Sequence, residues 1–229
     1  MTAARALIVC TNHAQYFSNT QKTGLWLSEA THFMDSLEKK GIVCDIVSPR
    51  GGHIPVDERS LKLTDFTNRR YYEDTAFRAK LENSLHPQNV DASQYQIIYY
   101  AGGHGCMWDF PDSVPLQNIT RHIYENDGMV AAVCHGLSGL LNVKLSDGSF
   151  LIAKKHLTGF SNTEERIVRL EKEVPFLLED ELRKRKAIYH KGFLPFVRYI
   201  EIDERLITGQ NPYSSRKVGR KVVEEMFEK

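Results

Sequence analysis

Four short apolar runs with little polar alternation constrain this chain most: "ALIVC" at 6–10, "IVCDIVSP" at 42–49, "YQIIYY" at 95–100 and "MVAAVC" at 129–134. A strand with one face in water alternates apolar and polar side chains, so runs of this kind suit a parallel sheet covered on both faces. Between the first two runs, Trp26, Leu27, Ala30, Phe33, Met34 and Leu37 recur at helical spacing, and Gly41 is placed to cap the C-terminus. Pro49 stops the second run. The opening is therefore strand, helix, strand.

Residues 50–92 carry the weakest periodicity, with "GGHIPVDERSL" as a loop and a helix expected around 74–85 before the turn-like "HPQN". Further on, "VPLQNITRHIYENDG" predicts a helix, and "HGLSGLLNV" predicts an immediate turn from the fourth run into another. "FLIAKKHLTGF" reads as short strands, and "TEERIVRLEKEVPFLLEDELRKRK" as helical with a break at Pro175. "RYIEIDERLITGQNP" predicts a hairpin or paired strands, and "SSRKVGRKVVEEMFEK" a final helix. With no internal repeat, low-complexity segment or linker, the expectation is one α/β domain over residues 1–229, built on a mostly parallel central sheet with helices on both faces.

The formal net charge of +1 makes no electrostatic case for nucleic acid or an acidic membrane as partner. The basic run at 183–186 sits among acids and reads as a solvated helical face. No apolar run approaches the ~20 residues of a membrane span, and "MTAARALIVCTNHA" lacks the ordered regions of a secretory signal. The cysteines at 10, 44, 106 and 134 form no CxxC pair, and a chain of this size does not depend on disulfides. Reduced thiols in the cytoplasm are expected, with Cys10 and Cys44 as small buried hydrophobes.

Cys134 differs from these. A strand ending at Val133 places it beyond the carboxyl end of a sheet strand, where such sheets bind ligands. A sharp turn there resembles a nucleophile elbow, and a helix beginning at the thiol is expected to lower its pKa. Gly136 is expected to leave room for a substrate. His135 reads either as base and proton shuttle for the thiol, with its amide in an oxyanion hole, or as a histidine that merely opens a helix. In "AGGHG", Gly102, Gly103 and Gly105 permit a backbone that points an amide at a substrate oxygen, or form a plain strand-end turn. Neither a GxxxxGK[ST] phosphate loop nor a GxGxxG feeding a helix is present.

Taken together, "ALIVCTNHAQY", "TGLWLSEATHF", "GIVCDIVSPRGG", "YYAGGHGCMWDFP", "VAAVCHGLSGLL", "LTGF" and "LITGQNP" resemble the DJ-1/PfpI superfamily, and within it the Hsp31-like group of glyoxalase III enzymes and chaperone-like proteins. The motifs keep the family order and approximate spacing over nearly the whole chain. The resemblance implies a flavodoxin-like sandwich, the class I glutamine amidotransferase-like fold, and a homodimer. It also implies that Cys134 is the nucleophile, that His135 is its base, and that Glu29 in "WLSEATHF" is an acid reaching the sulfur from the first long helix. A protonated Glu29 would donate a hydrogen bond to the thiolate and pass a proton during catalysis. The third triad member follows "TGF": counting favours Glu165 and leaves Glu164 open. Its task would be to hold the imidazole's tautomer. The amides of Gly103 and His135 would form the oxyanion hole. Without the resemblance, Glu29 fits a solvated glutamate, and Glu164 and Glu165 fit first-turn helix acids.

The implied activity is a glutathione-independent glyoxalase III converting methylglyoxal, a small 2-oxoaldehyde, to D-lactate through a hemithioacetal on Cys134. No cofactor and no metal are expected: His13, His32, His53, His104 and His122 are scattered singly. Cys106, close to the glycine loop, reads as a pocket-lining residue or a redox modulator. Alternatives are a cysteine peptidase or amidase, a protein deglycase, and a stress-related holdase or redox sensor with a regulatory cysteine. The larger bacterial chaperones of the group carry an N-terminal linker and lid domain, and this chain starts at its first strand, which weakens the holdase expectation.

Overall fold

Six strands form the central sheet of the computed structural model, which describes residues 3–18, 21–62 and 65–227. The strands in chain order are β1 (Arg5–Val9), β2 (Val43–Val47), β3 (Ile97–Tyr100), β4 (Met129–Val133), β5 (His156–Leu157), β6 (Ile188–Tyr189), β7 (Ile200–Asp203) and β8 (Leu206–Gly209). Their order across the sheet is β2-β1-β3-β4-β8-β7, with β5 and β6 forming a separate parallel pair. Only β7 runs antiparallel, through the predicted hairpin with β8. Every residue of β3 and β4 is buried, as are Ala6 to Val9 of β1. This burial accounts for the lack of alternation, because parallel strands covered on both sides have no wet face.

The helices are α1 (Leu27–Glu38), α2 (Glu58–Lys62), α3 (Phe66–Glu73), α4 (Thr75–Glu82), α5 (Cys106–Asp109), α6 (Val114–Glu125), α7 (Asn162–Val168), α8 (Leu178–Lys184) and α9 (Ser215–Phe227). Two adjacent tyrosines show how they cover the sheet. Successive strand side chains point to opposite faces: Tyr99 stacks on Phe33 of α1 at 3.7 Å between ring centres, whereas the Tyr100 hydroxyl meets Thr120 of α6 at 2.7 Å. Burying each ring contributes on the order of 2–3 kcal/mol. The α9 helix packs beside α1.

Three segments depart from the sequence expectations. The helix expected around 74–85 is α4, but two further helices precede it where the weak periodicity announced none: α3, and α2 at the end of the expected loop "GGHIPVDERSL". Asp65 accepts from the Asn68 amide at the start of α3, and Asp74, which ends α3, accepts from Ala76 to start α4. Such side-chain caps divide a helical region where apolar periodicity is weak. Within "FLIAKKHLTGF", only His156–Leu157 is strand. The helix after β4 is a 3₁₀ helix, Cys134–Leu140.

That last segment packs tightly against β3. A Cβ on Gly136 would lie 2.3 Å from the Tyr100 carbonyl oxygen. Gly136 therefore serves close approach of the turn to β3, which corrects the expectation that it leaves space for substrate. Gly136→Ala is expected to destabilise the protein by about 2–4 kcal/mol, read as a lower urea midpoint at unchanged m-value. An unchanged midpoint would contradict this packing.

The basic run behaves as a helical face: Arg183 pairs with Glu179, and Lys184 and Arg185 with Glu181. Residues 1–2 before the predicted first strand, 19–20 in the loop after it and 228–229 of the predicted final helix lie outside the described residues.

Candidate active site

A cavity of about 590 Å³ opens beyond the carboxyl ends of β3 and β4, where a sheet of this kind collects functional side chains. Its wall includes Glu29, Gly103, His104, Cys134, His135 and Phe160. Cys134 is the first residue after β4 and has φ +58°. A left-handed conformation costs a non-glycine residue roughly 1–2 kcal/mol, and here the surrounding burial holds it. The turn re-aims the side chain from the sheet towards the cavity, as the elbow reading requires.

His135 stands between two partners. Its Nδ1 lies 3.3 Å from the Cys134 sulfur, and its Nε2 lies 2.7 Å from Glu165 Oε2. Burial opposes ionisation of Glu165, but His135 and His104 together hold its carboxyl well below the usual range. An ionised Glu165 accepts the proton on Nε2, which leaves the Nδ1 lone pair facing the thiol.

Glu164 is turned elsewhere. It closes a capping box with Ser161 and accepts from the Phe196 amide and the Asn211 side chain. Of the two acids left open by counting, the structure joins Glu165 to His135.

Glu29 occupies the first turn of α1 and is fully buried, unlike the solvated residue its pattern also allowed. Its Oε2 accepts from the Gly102 amide at 2.8 Å. Burial raises its pKa to about 8, against the lowering effect of Gly102 and the Cys134 thiol. At neutral pH Glu29 is thus a neutral acid beside the sulfur.

The thiol itself departs from expectation. Burial, followed by the nearby Glu29, pushes Cys134 well above an ordinary thiol, while the His135 amide acts in the opposite direction. A seven-residue 3₁₀ segment has too few aligned peptides to offset the loss of water. Forming the thiolate therefore needs a proton acceptor at hand, and His135 Nδ1 is placed for it.

Gly103, at φ +107°, ends the strand-to-loop turn; a Cβ there would meet the Gly24 carbonyl at 2.1 Å. Its amide meets no acceptor among the described residues. Cys106 lies behind this loop rather than in the cavity wall. It is buried, and its thiol donates to the Gly103 carbonyl at 3.0 Å.

The residue that sequence reasoning missed is His104. Its Nε2 lies 2.9 Å from Glu165 Oε1, and its ring centre is 4.0 Å from that of His135. Burial and the neighbouring His135 lower its pKa to about 4, so it is neutral under ordinary conditions. Its signal was its place inside "AGGHG" at a strand end, where the glycines drew the reading. His13 stacks on Trp108, His32 pairs with Asp65 and His53 with Glu82, but the expectation that His104 also stands alone is wrong. Donor atoms of His104, His135 and Glu165 lie within 4.8 Å of one another, a set that could take a metal. Both ring Nε2 atoms already bond to the carboxylate, so binding an ion there would cost both hydrogen bonds.

A model of the DJ-1/PfpI family matches residues 22–225. The chain is 33% identical to the Glutathione-independent glyoxalase HSP31 of Saccharomyces cerevisiae, over 99% of each chain. The solved structure of glyoxalase III from Candida albicans superposes with a TM-score of 0.89 at 27% identity, covering 96% of both chains. Rapid Encystment Protein 24 KDa of Francisella tularensis superposes with a TM-score of 0.94 at 39% identity, covering 98% of this chain and 99% of that one.

Proposed function

The chain belongs to the DJ-1/PfpI family, and on that premise we propose that it is a glutathione-independent glyoxalase converting methylglyoxal to D-lactate. The observation that carries this reading is the continuous line from the Cys134 sulfur through His135 to Glu165, at 3.3 and 2.7 Å, beside a neutral Glu29. The reaction takes up one water and needs no external oxidant or reductant.

In the first step His135 Nδ1 takes the thiol proton, and the sulfur adds to the aldehyde carbon. The carbonyl electron pair moves to oxygen, giving an oxyanion that the Gly103 and His135 amides stabilise before it gains a proton. Glu165 keeps the imidazolium oriented and compensates its charge. Removing the proton from the former aldehyde carbon then gives an enediol. Proton return to the neighbouring carbon gives a thioester of lactate, with His135 and Glu29 as carriers. Water cleaves the thioester, freeing D-lactate and restoring the thiol.

The two adjacent acids separate catalysis from folding. Glu165→Gln removes the charge behind His135 and is expected to lower kcat/KM for D-lactate formation on the order of 10³-fold. Glu164→Gln weakens a buried cap and is expected to lower stability by about 1–3 kcal/mol while turnover by the folded protein persists. Loss of turnover in the Glu164 variant with retention in the Glu165 variant would reverse the assignment.

A second, accessory reading is a holdase surface, favoured by the exposed apolar Phe193 and Leu194 close in sequence to Phe196 in the cavity wall. The residues 1–229 are proposed to act as one DJ-1/PfpI-like unit, in a cytoplasmic homodimer. The buried free thiols of Cys10, Cys44, Cys106 and Cys134 accord with a reducing compartment. No helix among the described residues is long and apolar enough to cross a membrane.

A further inference from the structure

One buried ionisable group in the cavity wall has no task in the reaction just described: His104. We propose that His104 is a positioning residue that, by occupying one oxygen of Glu165, limits the carboxylate's hold on His135 and so sets the pH range in which His135 accepts the Cys134 proton. Its kinetic consequence rests on the glyoxalase reading above, whereas its effect on His135 does not.

The geometry is specific. Three chain segments meet: the loop after β3 brings His104, the turn after β4 brings His135, and the first turn of α7 brings Glu165. Each carboxylate oxygen serves one ring, Oε1 receiving the His104 Nε2–H and Oε2 the His135 Nε2–H. All three residues are at least 94% buried, so the carboxylate is held chiefly by these two rings. A hydrogen-bonded donor delocalises and stabilises the anion it faces. With the His104 donor removed, Oε1 is left unpaired and the carboxylate acts on His135 undivided.

His104 is suited to give one hydrogen bond without adding charge. Its Nε2 proton is committed to Glu165, and its Nδ1 is buried with no partner among the described residues. Protonating Nδ1 would place a second cation 4.0 Å from His135 by ring centres. The other groups around the cluster are Cys134 and Glu29 beside His135, Arg59 of α2 acting on His104, and Tyr16 packing 5.6 Å from its ring. Arg59 is already paired with Asp57 and Tyr16 and does not replace the His104 donor, and Glu164 is an acceptor engaged by Asn211.

The test is an ¹⁵N-histidine NMR titration of the full-length protein without substrate, joined to the pH profile of kcat/KM for methylglyoxal. In wild type, His104 is expected to keep its proton on Nε2 and remain neutral from pH 5 to 8. His104→Phe preserves a ring but removes the donor. The pH at which His135 gains its proton is expected to rise by about one unit, and the acid limb of kcat/KM to move up with it. His104→Gln restores a donor and is expected to bring both values back towards wild type. A purely structural role would lower stability or kcat without moving either midpoint. Coincident midpoints in wild type and His104→Phe would overturn the proposal. So would a wild-type His104 carrying its proton on Nδ1, a result that does not depend on any variant folding. Absence of D-lactate would sink the glyoxalase reading and leave the titration result intact.

Discussion

Replacing Cys134 by Ala is expected to abolish D-lactate formation from methylglyoxal, a loss on the order of 10⁴-fold or more, with the fold retained. The proposed chemistry begins and ends with a carbon–sulfur bond, and no neighbouring group replaces the sulfur. Cys106 is buried behind the Gly103 carbonyl, and burial holds its thiol well above the ordinary range. Ala keeps the left-handed backbone at position 134 and creates little empty volume, so stability is expected to change by only about 1 kcal/mol. A holdase activity carried by Phe193 and Leu194 would survive the same substitution, which separates the two readings in one preparation. Retained turnover in folded Cys134→Ala would remove the covalent mechanism.

Glu29→Gln is expected to act in opposite directions on stability and activity. In the folded protein the Glu29 carboxyl titrates at about 8, against an ordinary 4.5. Between those values the folded state holds a proton that the unfolded chain has released, so this group lowers stability as pH rises through the interval. The slope is roughly 1.4 kcal/mol per pH unit, about 5 kcal/mol in all and flat above pH 8. Gln carries no such penalty, and its carbonyl still accepts from the Gly102 amide. The variant is therefore expected to gain stability over wild type progressively from pH 5 to pH 8 in urea melts. Over the same range its turnover should fall on the order of 10²-fold, because an amide cannot pass a proton. Wild-type activity is expected to decline above pH 8 as Glu29 ionises beside the sulfur. A stability difference that does not vary with pH would contradict a buried neutral acid at this position.

The strands were legible in the sequence because burial on both faces leaves a direct mark: β1, β3 and β4 have no wet side and show no alternation. The position of Cys134 was legible for the same reason, since the end of an apolar run locates the functional edge of a parallel sheet. Long-range pairings were less accessible. His104 and Glu165 lie 61 positions apart, and only the packing of α7 against the glycine loop and the Cys134–His135 turn makes them one group. The role of Gly136 was misread because the surface it must approach, the Tyr100 carbonyl, comes from another strand. The thiol's environment was misread in sign: a helix start can be inferred locally, whereas the depth of burial that outweighs it belongs to the whole fold. Glu29 shows the reverse case, where a residue that fits a solvated helix face is fully buried because α1 lays its first turn over the ends of the strands.

The most direct measurement is a single-turnover reaction with enzyme in excess over methylglyoxal, in buffer free of glutathione and other thiols. Samples quenched in time would be divided between peptide mass mapping and a stereospecific D-lactate assay. An adduct with the mass of methylglyoxal is expected on the peptide containing Cys134, rising first and decaying at the rate at which D-lactate appears. D-lactate formed without any adduct on Cys134, or a Cys134 adduct that persists while no D-lactate is released, would contradict the account.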